Sequence, residues 1–449
     1  MTFFTRFQNL WLNTSEAPIK NKYSAMLFFM GVIALFAYAF AREFSHPLAK
    51  IAEPIMLLSG FVLLILHSSL RRSWWSLLFL ICVFVQLISW ASAMLSHPEW
   101  SSSAPTLDRL GKLFFFMPVA YLIGGSKRNT LWVWFAYGMG LILTVLTFSG
   151  GFIYWQQAFS GARADFGMQN AQHTAMYFGV LLLMLITLVK SWIFSGNRVV
   201  VWRAVLWACS VIFSLVMIYI TQTRAVLIGL MLAVSAIGVT IFISKLRLGC
   251  STREKWVAIP MILFVIALIV AGGHKISERM QPERETTDLV LQGKLHDIPY
   301  SSIGIRVQTW LVALERIKER PLLGWGDKAR NQVIKQSTTL PEDIKQNYGH
   351  LHNYFIETQL SYGLLGSLFL LAYVVSFVVQ IYRGWVNNII DSDLALFGLA
   401  FLVYWVFVNN FESYLSFSSG VFVFALVVGG MQTQLCRSYH QKQEDSFIS

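Results

Sequence analysis

GHLHNYFIETQLSYGLLGSLFLLAYVVSFVVQIY, residues 349–382, passes from polar to apolar within a few positions, and its reading decides the fold. From Tyr354 to Tyr382 it carries a single charge, Glu357. At ~1.5 Å per residue, a helix of that length crosses a hydrocarbon core of ~30 Å. Lipid offers backbone groups no hydrogen bonds, so only helices and closed barrels span it; a run this long and continuously apolar is a helix. The residues before it differ in kind. Between 274 and 353 the chain is polar and mixed in charge, and it re-enters the membrane through Gly349-His-Leu-His-Asn353.

Outward from this junction, apolar runs recur near 23–41, 52–69, 74–95, 110–125, 130–150, 172–194, 199–220, 225–244, 256–273, 394–410 and 414–432. The expected fold is an all-α polytopic membrane protein with about 12 transmembrane helices and a helical cap between spans nine and ten. Its expected divisions are a membrane domain over 1–273, an outer loop over 274–353, a second membrane part over 354–432 and a tail over 433–449. Composition agrees: 56% of residues are hydrophobic and 13% charged, where soluble domains hold about 25% charged residues. Ala39-Phe40-Ala41 resembles a signal cleavage site. The apolar run before it, starting near Ser24, is too long for a signal core and is read as a retained first span.

Charge orients the spans. Arg6, Lys20, Lys22, Arg71, Arg72, Lys127, Arg128, Lys190, Arg198, Lys245, Arg247, Arg253, Lys255, Arg383, Arg437 and Lys442 all fall on one side of a twelve-span chain. That excess marks the cytoplasmic side, which places both termini inside and the long loop outside. The net charge of +12 is explained this way, and no basic stripe in a soluble domain calls for nucleic acid. Cys82, Cys209, Cys250 and Cys436 all fall in spans or inner segments, so no disulfide framework or cysteine zinc site is expected. The outer face holds few basic residues, with Arg163 and Arg224 standing alone in its shorter connections.

The long loop reads in three pieces. Residues 278–300, with Pro282 and Pro299, read as irregular. Val307, Trp310, Leu311, Leu314 and Ile317 recur at helical spacing and predict an amphipathic helix over 303–320. Pro321 stops it, Gly324-Trp-Gly326 turns the chain, and Pro341-Glu-Asp-Ile opens a second short helix.

Candidate chemistry gathers on the outer face. His350 and His352 stand where the loop meets span ten; imidazole is the usual base for a hydroxyl proton, and anchoring a helix end is its structural alternative. Arg163, Arg224 and Arg306 reach the same face from distant parts of the chain. A guanidinium grips phosphate oxygens as a fork, and several near lipid suggest an anion bound there. No metal site is expected: His-Leu-His has no cysteine or acidic cluster beside it, and no outer loop holds an Asp-x-Asp pair. No Gly-x4-Gly-Lys-Ser/Thr loop points to ATP. Asp165, Asp327, Glu357 and Glu412 read as helix-end or solvated carboxylates.

His352-Asn353, nine residues and then Gly363-Leu-Leu-Gly366 resembles the H-[NSQ]-x9-G-x-x-[GTY] pattern of the O-antigen ligase family. Gly304-Ile-Arg306, Trp310 and Pro321-Leu-Leu-Gly-Trp-Gly326 are similar to its R-x3-W and P-L-x-G-x-G run, and Thr223-Arg224 to its other arginine position. The specific motifs lie in residues 300–366; the span plan is similar over most of the chain. The resemblance implies a GT-C-like membrane glycosyltransferase of the bacterial inner membrane, with its site and cap in the periplasm. Its donor would be a glycan on undecaprenyl diphosphate and its acceptor lipid A-core, with no cofactor, metal or ATP. His352 would be the catalytic base, with His350 second choice because it matches no motif position. Arg224, Arg306 and Arg163 would hold the diphosphate, and membrane lipids would surround the spans.

An O-antigen polymerase and a protein O-oligosaccharyltransferase share this superfamily. A short loop after span five argues against the first, and the absence of added C-terminal regions against the second. A secondary transporter also fits twelve helices, but no half-to-half repeat is found and the longest connection is outside.

Overall fold

The computed structural model describes residues 3–12, 22–66, 73–196, 198–248 and 284–448. The expected ninth span, 256–273, lies outside these residues, as do loop residues 274–283 and Cys250. The principal helices are α1 (Phe3–Leu12), α2 (Lys22–Phe44), α3 (His46–Leu66), α4 (Trp74–Ser96), α5 (Phe116–Ile123), α6 (Lys127–Leu146), α7 (Gly151–Ser160), α8 (Ala171–Thr187), α9 (Val201–Thr221) and α10 (Arg224–Leu248). Then come α11 (Ser302–Glu319), α12 (Ala329–Lys335), α13 (Glu342–Asn347), α14 (Tyr354–Val386), α15 (Ser392–Val408) and α16 (Ser418–Ile448). Among the described residues eight are long and apolar enough to cross a membrane: α2, α3, α4, α6, α9, α10, α14 and α16. Two shorter apolar helices, α8 and α15, have 17 residues each. The chain is an all-α, multi-pass membrane protein.

Side-chain caps start several helices where the sequence supplies them. Ser126 accepts from Asn129 N ahead of α6, and Asn170 from Gln172 N and His173 N ahead of α8. These bonds satisfy amides that have no partner within their own helix. Among the described residues, β-strand pairing is confined to Phe194–Ser195 with Arg198–Val199, between α8 and α9.

One expected span is not a single membrane-length helix. Residues 110–125 are divided among Asp108–Gly111, a 3₁₀ turn at Lys112–Phe114, and α5. Pro118 supplies a reason, since its ring would clash with the Phe114 carbonyl in a continuous α-helix. Gly124, at φ 77°, ends α5. Nearly all of α5 is buried between α3 and α16, so it needs no lipid-facing length.

The bundle core is largely aromatic. Trp134, Tyr137, Tyr177, Phe397, Tyr404 and Tyr414 are among the largest fully buried side chains. Trp134 meets Phe397 edge-on at 5.0 Å, and Tyr38 meets Phe422 at 5.0 Å. Edge-to-face contacts of this kind add about 0.5–1.5 kcal/mol beyond burial. At one end of the bundle Lys127 pairs with Asp391 (2.7 Å) and Asp393 (2.8 Å), and Asp393 accepts from Ser191 (2.9 Å). Residues 350–352 and 412 gather at the opposite end of α15.

There a cap sits over the bundle. It has its own core of Trp100, Ala313, Trp325, Val333, Leu340 and Leu351, together with Leu360 of α14. The amphipathic helix forms as α11, but the centre of its buried face is Ile305, Thr309 and Ala313, while Leu314 is 44% exposed. Residues 284–291 are helical where the sequence reads as irregular, and α12 is an added helix.

The Pro321–Gly326 run docks by backbone into a break in α14. Leu364 N donates to Pro321 O (2.7 Å), Trp325 N to Leu360 O (2.9 Å) and Gly326 N to Ser361 O (3.0 Å). Gly363 makes the break at φ 62°, ψ −157°. A Cβ there would lie 2.3 Å from the Leu322 carbonyl carbon, and one on Gly324 2.5 Å from that of Ser361. Both positions need glycine for approach and for conformation.

Candidate active site

The turn from the cap into α14 sets two imidazoles side by side. Asn353 caps α14, accepting from Phe355 N and Ile356 N at 3.1 Å each. Leu351 is fully buried and held at both backbone atoms: Trp310 Nε1 donates to its carbonyl (2.7 Å), and its amide donates to Glu357 Oε1 (3.0 Å). With Leu351 turned into the cap core, His350 and His352 project together, their ring centroids 4.0 Å apart. His352 holds φ at 53°, in the left-handed region that a side chain rarely adopts. Such strain persists only where surroundings enforce it, and it clusters at functional sites.

Glu412, in the connection between α15 and α16, receives both rings. His350 Nε2 lies 3.0 Å from Oε1 and His352 Nδ1 lies 2.9 Å from Oε2. Ser413 N also donates to Oε1 (3.0 Å). The Glu412 side chain is only 3% exposed. Burial pushes its carboxyl up, but the hydrogen bonds and charges of His350 and His352 outweigh this and hold it well below the ordinary carboxylate range. Glu412 is therefore a buried anion, not the solvated helix-end residue read from sequence.

Arg306 joins the same cluster through Gln172. With the Gln172 amide oriented to suit both neighbours, its nitrogen donates to Glu412 Oε2 (2.7 Å) and its oxygen accepts from Arg306 (3.2 Å). The Arg306 Nε is buried without a hydrogen bond among the described residues. Arg163 binds the turn between α9 and α10, donating to Thr221 O (3.2 Å) and Thr223 Oγ1 (3.3 Å). Arg224 is the next residue and opens α10. Arg306 and Arg163 both lie close enough to Tyr414 to act on its hydroxyl electrostatically. His350, His352, Arg306 and the Arg163 turn thus share one end of the bundle.

His350, His352 and Glu412 also offer three donor atoms within 4.8 Å of one another, a set that suits a metal ion. Ligands at ~2.0–2.2 Å around a tetrahedral ion sit ~3.3–3.6 Å apart. The two nitrogen–oxygen distances here, 2.9 and 3.0 Å, are hydrogen-bond lengths.

Sequence reading missed the part played by four residues at this end. Glu412 had no spacing relation to the histidines. Arg42, which bonds Ser418 Oγ (2.5 Å), closes α2 at this same end. Arg109 and Arg330 stand beside Glu357, so this end of the bundle is richer in arginine than two isolated residues.

At the capped end of a bundle of apolar helices, paired histidines, a buried carboxylate and arginines form one polar cluster. Residues 209–371 match the sequence model of the family described as O-Antigen ligase. A Haemophilus influenzae protein described as uncharacterized is 26% identical over 134 residues, 28% of this chain. The match spans 33% of that protein's length.

Proposed function

We propose that this chain transfers a glycan from undecaprenyl diphosphate to a hydroxyl of lipid A-core at the periplasmic face of the inner membrane. The observation that carries it is the Glu412-bound histidine pair, with Arg306 joined to the same carboxylate through Gln172. Glu412 takes His352 Nδ1, and no described residue hydrogen-bonds to Nε2. A proton on Nδ1, donated to the carboxylate, leaves the Nε2 lone pair as base. Nε2 accepts the acceptor hydroxyl proton as that oxygen attacks the anomeric carbon. The bond from this carbon to the diphosphate breaks, and the diphosphate leaves with the electron pair. Arg306, Arg224 and Arg163 take up its charge. A single displacement inverts the anomeric centre, and the diphosphate needs no general acid.

The test is transfer by the purified full chain from undecaprenyl-diphosphate glycan to lipid A-core, read as a mobility ladder. His352→Ala is expected to abolish transfer while still inserting; near wild-type transfer overturns the base assignment. Arg306→Lys keeps the charge but loses the fork, and a large loss is expected; unchanged activity counts against a diphosphate role. Activity that chelator removes and zinc restores would favour the His350–His352–Glu412 metal reading. A ladder extended on the polyprenyl carrier itself would instead identify a polymerase, which the family match equally accommodates.

A further inference from the structure

A second polar cavity, of about 240 Å³, lies beside the histidine site. It is lined by Arg109, Lys112, Arg330, Tyr354, Glu357 and Tyr362, among others. Its charges do not cancel. Lys112 is paired with Asp108. Glu357 Oε1 accepts from Leu351 N (3.0 Å) and Ser413 Oγ (2.7 Å), and its Oε2 from Ser416 Oγ (3.2 Å). Arg330 Nη1 forms an ion pair with Glu357 Oε2 at 3.7 Å, longer than a hydrogen bond. That nitrogen is buried without a hydrogen bond among the described residues, and so are the hydroxyls of Tyr354 and Tyr362. The Arg109 guanidinium meets Ser361 Oγ at 3.4 Å. Burial, and then the neighbouring charge of Arg109, hold Arg330 below its usual range.

Buried donors without acceptors cost about 1–3 kcal/mol each, so a set of them around a cavity calls for an acceptor-rich ligand. Two guanidiniums and two phenols match the several oxygens of a phosphoryl group. At ~30 Å³ per water, the volume holds one such group with its waters, or one phosphorylated sugar ring, and no polymer. We propose that this cavity is a second anion site that binds a single phosphoryl group, separated from the histidine pair by the Glu357–Ser413 bond. The phosphoryl could be carried by a glycolipid, a phospholipid headgroup or free phosphate; the chemistry is shared.

The test does not use transfer, so it stands or falls separately from the proposed reaction. The full chain in neutral detergent, carrying Arg306→Gln to silence the histidine site, is titrated with inorganic phosphate, phosphatidylglycerol and bisphosphorylated lipid A, with binding read by thermophoresis. At least one probe is expected to bind, and the pair Arg109→Gln and Arg330→Gln to weaken it by about tenfold or more. The binding probe identifies the source. Failure of all three to bind overturns the site, as does equal affinity in the double variant. Should that variant not fold, Arg330→Lys serves: it keeps the charge but loses the fork, and unchanged affinity overturns the assignment.

Discussion

Glu412 determines what His352 can do. An imidazole offers a base on one nitrogen only when the other is fixed as a donor, and a buried carboxylate 2.9 Å from Nδ1 fixes it. Glu412→Gln is expected to lower transfer by ~10²–10⁴-fold with insertion unchanged, since the amide can present the wrong tautomer. A loss below about threefold would reduce Glu412 to a packing role. His352 and Arg306 were legible in the sequence because each sits at a fixed spacing from glycines or a tryptophan within one stretch. Glu412 was not, because it lies 60 residues from His352 on another connection, and a lone carboxylate there reads as solvated. Arg109 and Arg330 were hidden for the same reason: the short helix Asp108–Gly111 and a cap helix bring them to one cavity.

At the scale of elements, the break in α14 joins cap to bundle. Gly363→Ala puts a Cβ 2.3 Å from the Leu322 carbonyl carbon at a φ that L side chains avoid. The strain alone costs about 1–3 kcal/mol, and the clash adds to it. The expected outcome is a lower melting temperature and faster proteolysis within 302–347; wild-type values for both would mean the clasp is dispensable. Hydropathy located α14 but not its break, because a glycine inside an apolar helix costs only about 1 kcal/mol against alanine and does not by itself mark an end. It likewise overextended 110–125, where Pro118 divides the run. The largest aromatic residues pack the bundle, which composition alone does not disclose, since it cannot say which way a ring points.

For the whole molecule, two buried carboxylates link cap and bundle to acidity. Asp327 accepts from Ser102 N (2.9 Å), Thr106 (2.7 Å) and the Ser101 and Ser102 hydroxyls, tying the cap to the connection after α4. Burial raises its carboxyl, but these bonds prevail and leave it below its ordinary value, as with Glu412. A group whose folded value is depressed stabilises above its unfolded value, ~4, and loses this as pH falls toward the folded value. Melting temperature is therefore expected to hold from pH 7 to about 5 and to fall below it. The fall should be shallower in Glu412→Gln with Asp327→Asn, and an equal slope would show that other groups govern it. The backbone of Leu351 has a larger consequence. Its carbonyl is gripped from the cap by Trp310 and its amide from the membrane helix by Glu357. The residue works as a calliper between two bodies, with one imidazole on either side of it. A shift of the cap against α14 would load the two peptide groups that flank this residue, one leading to each histidine.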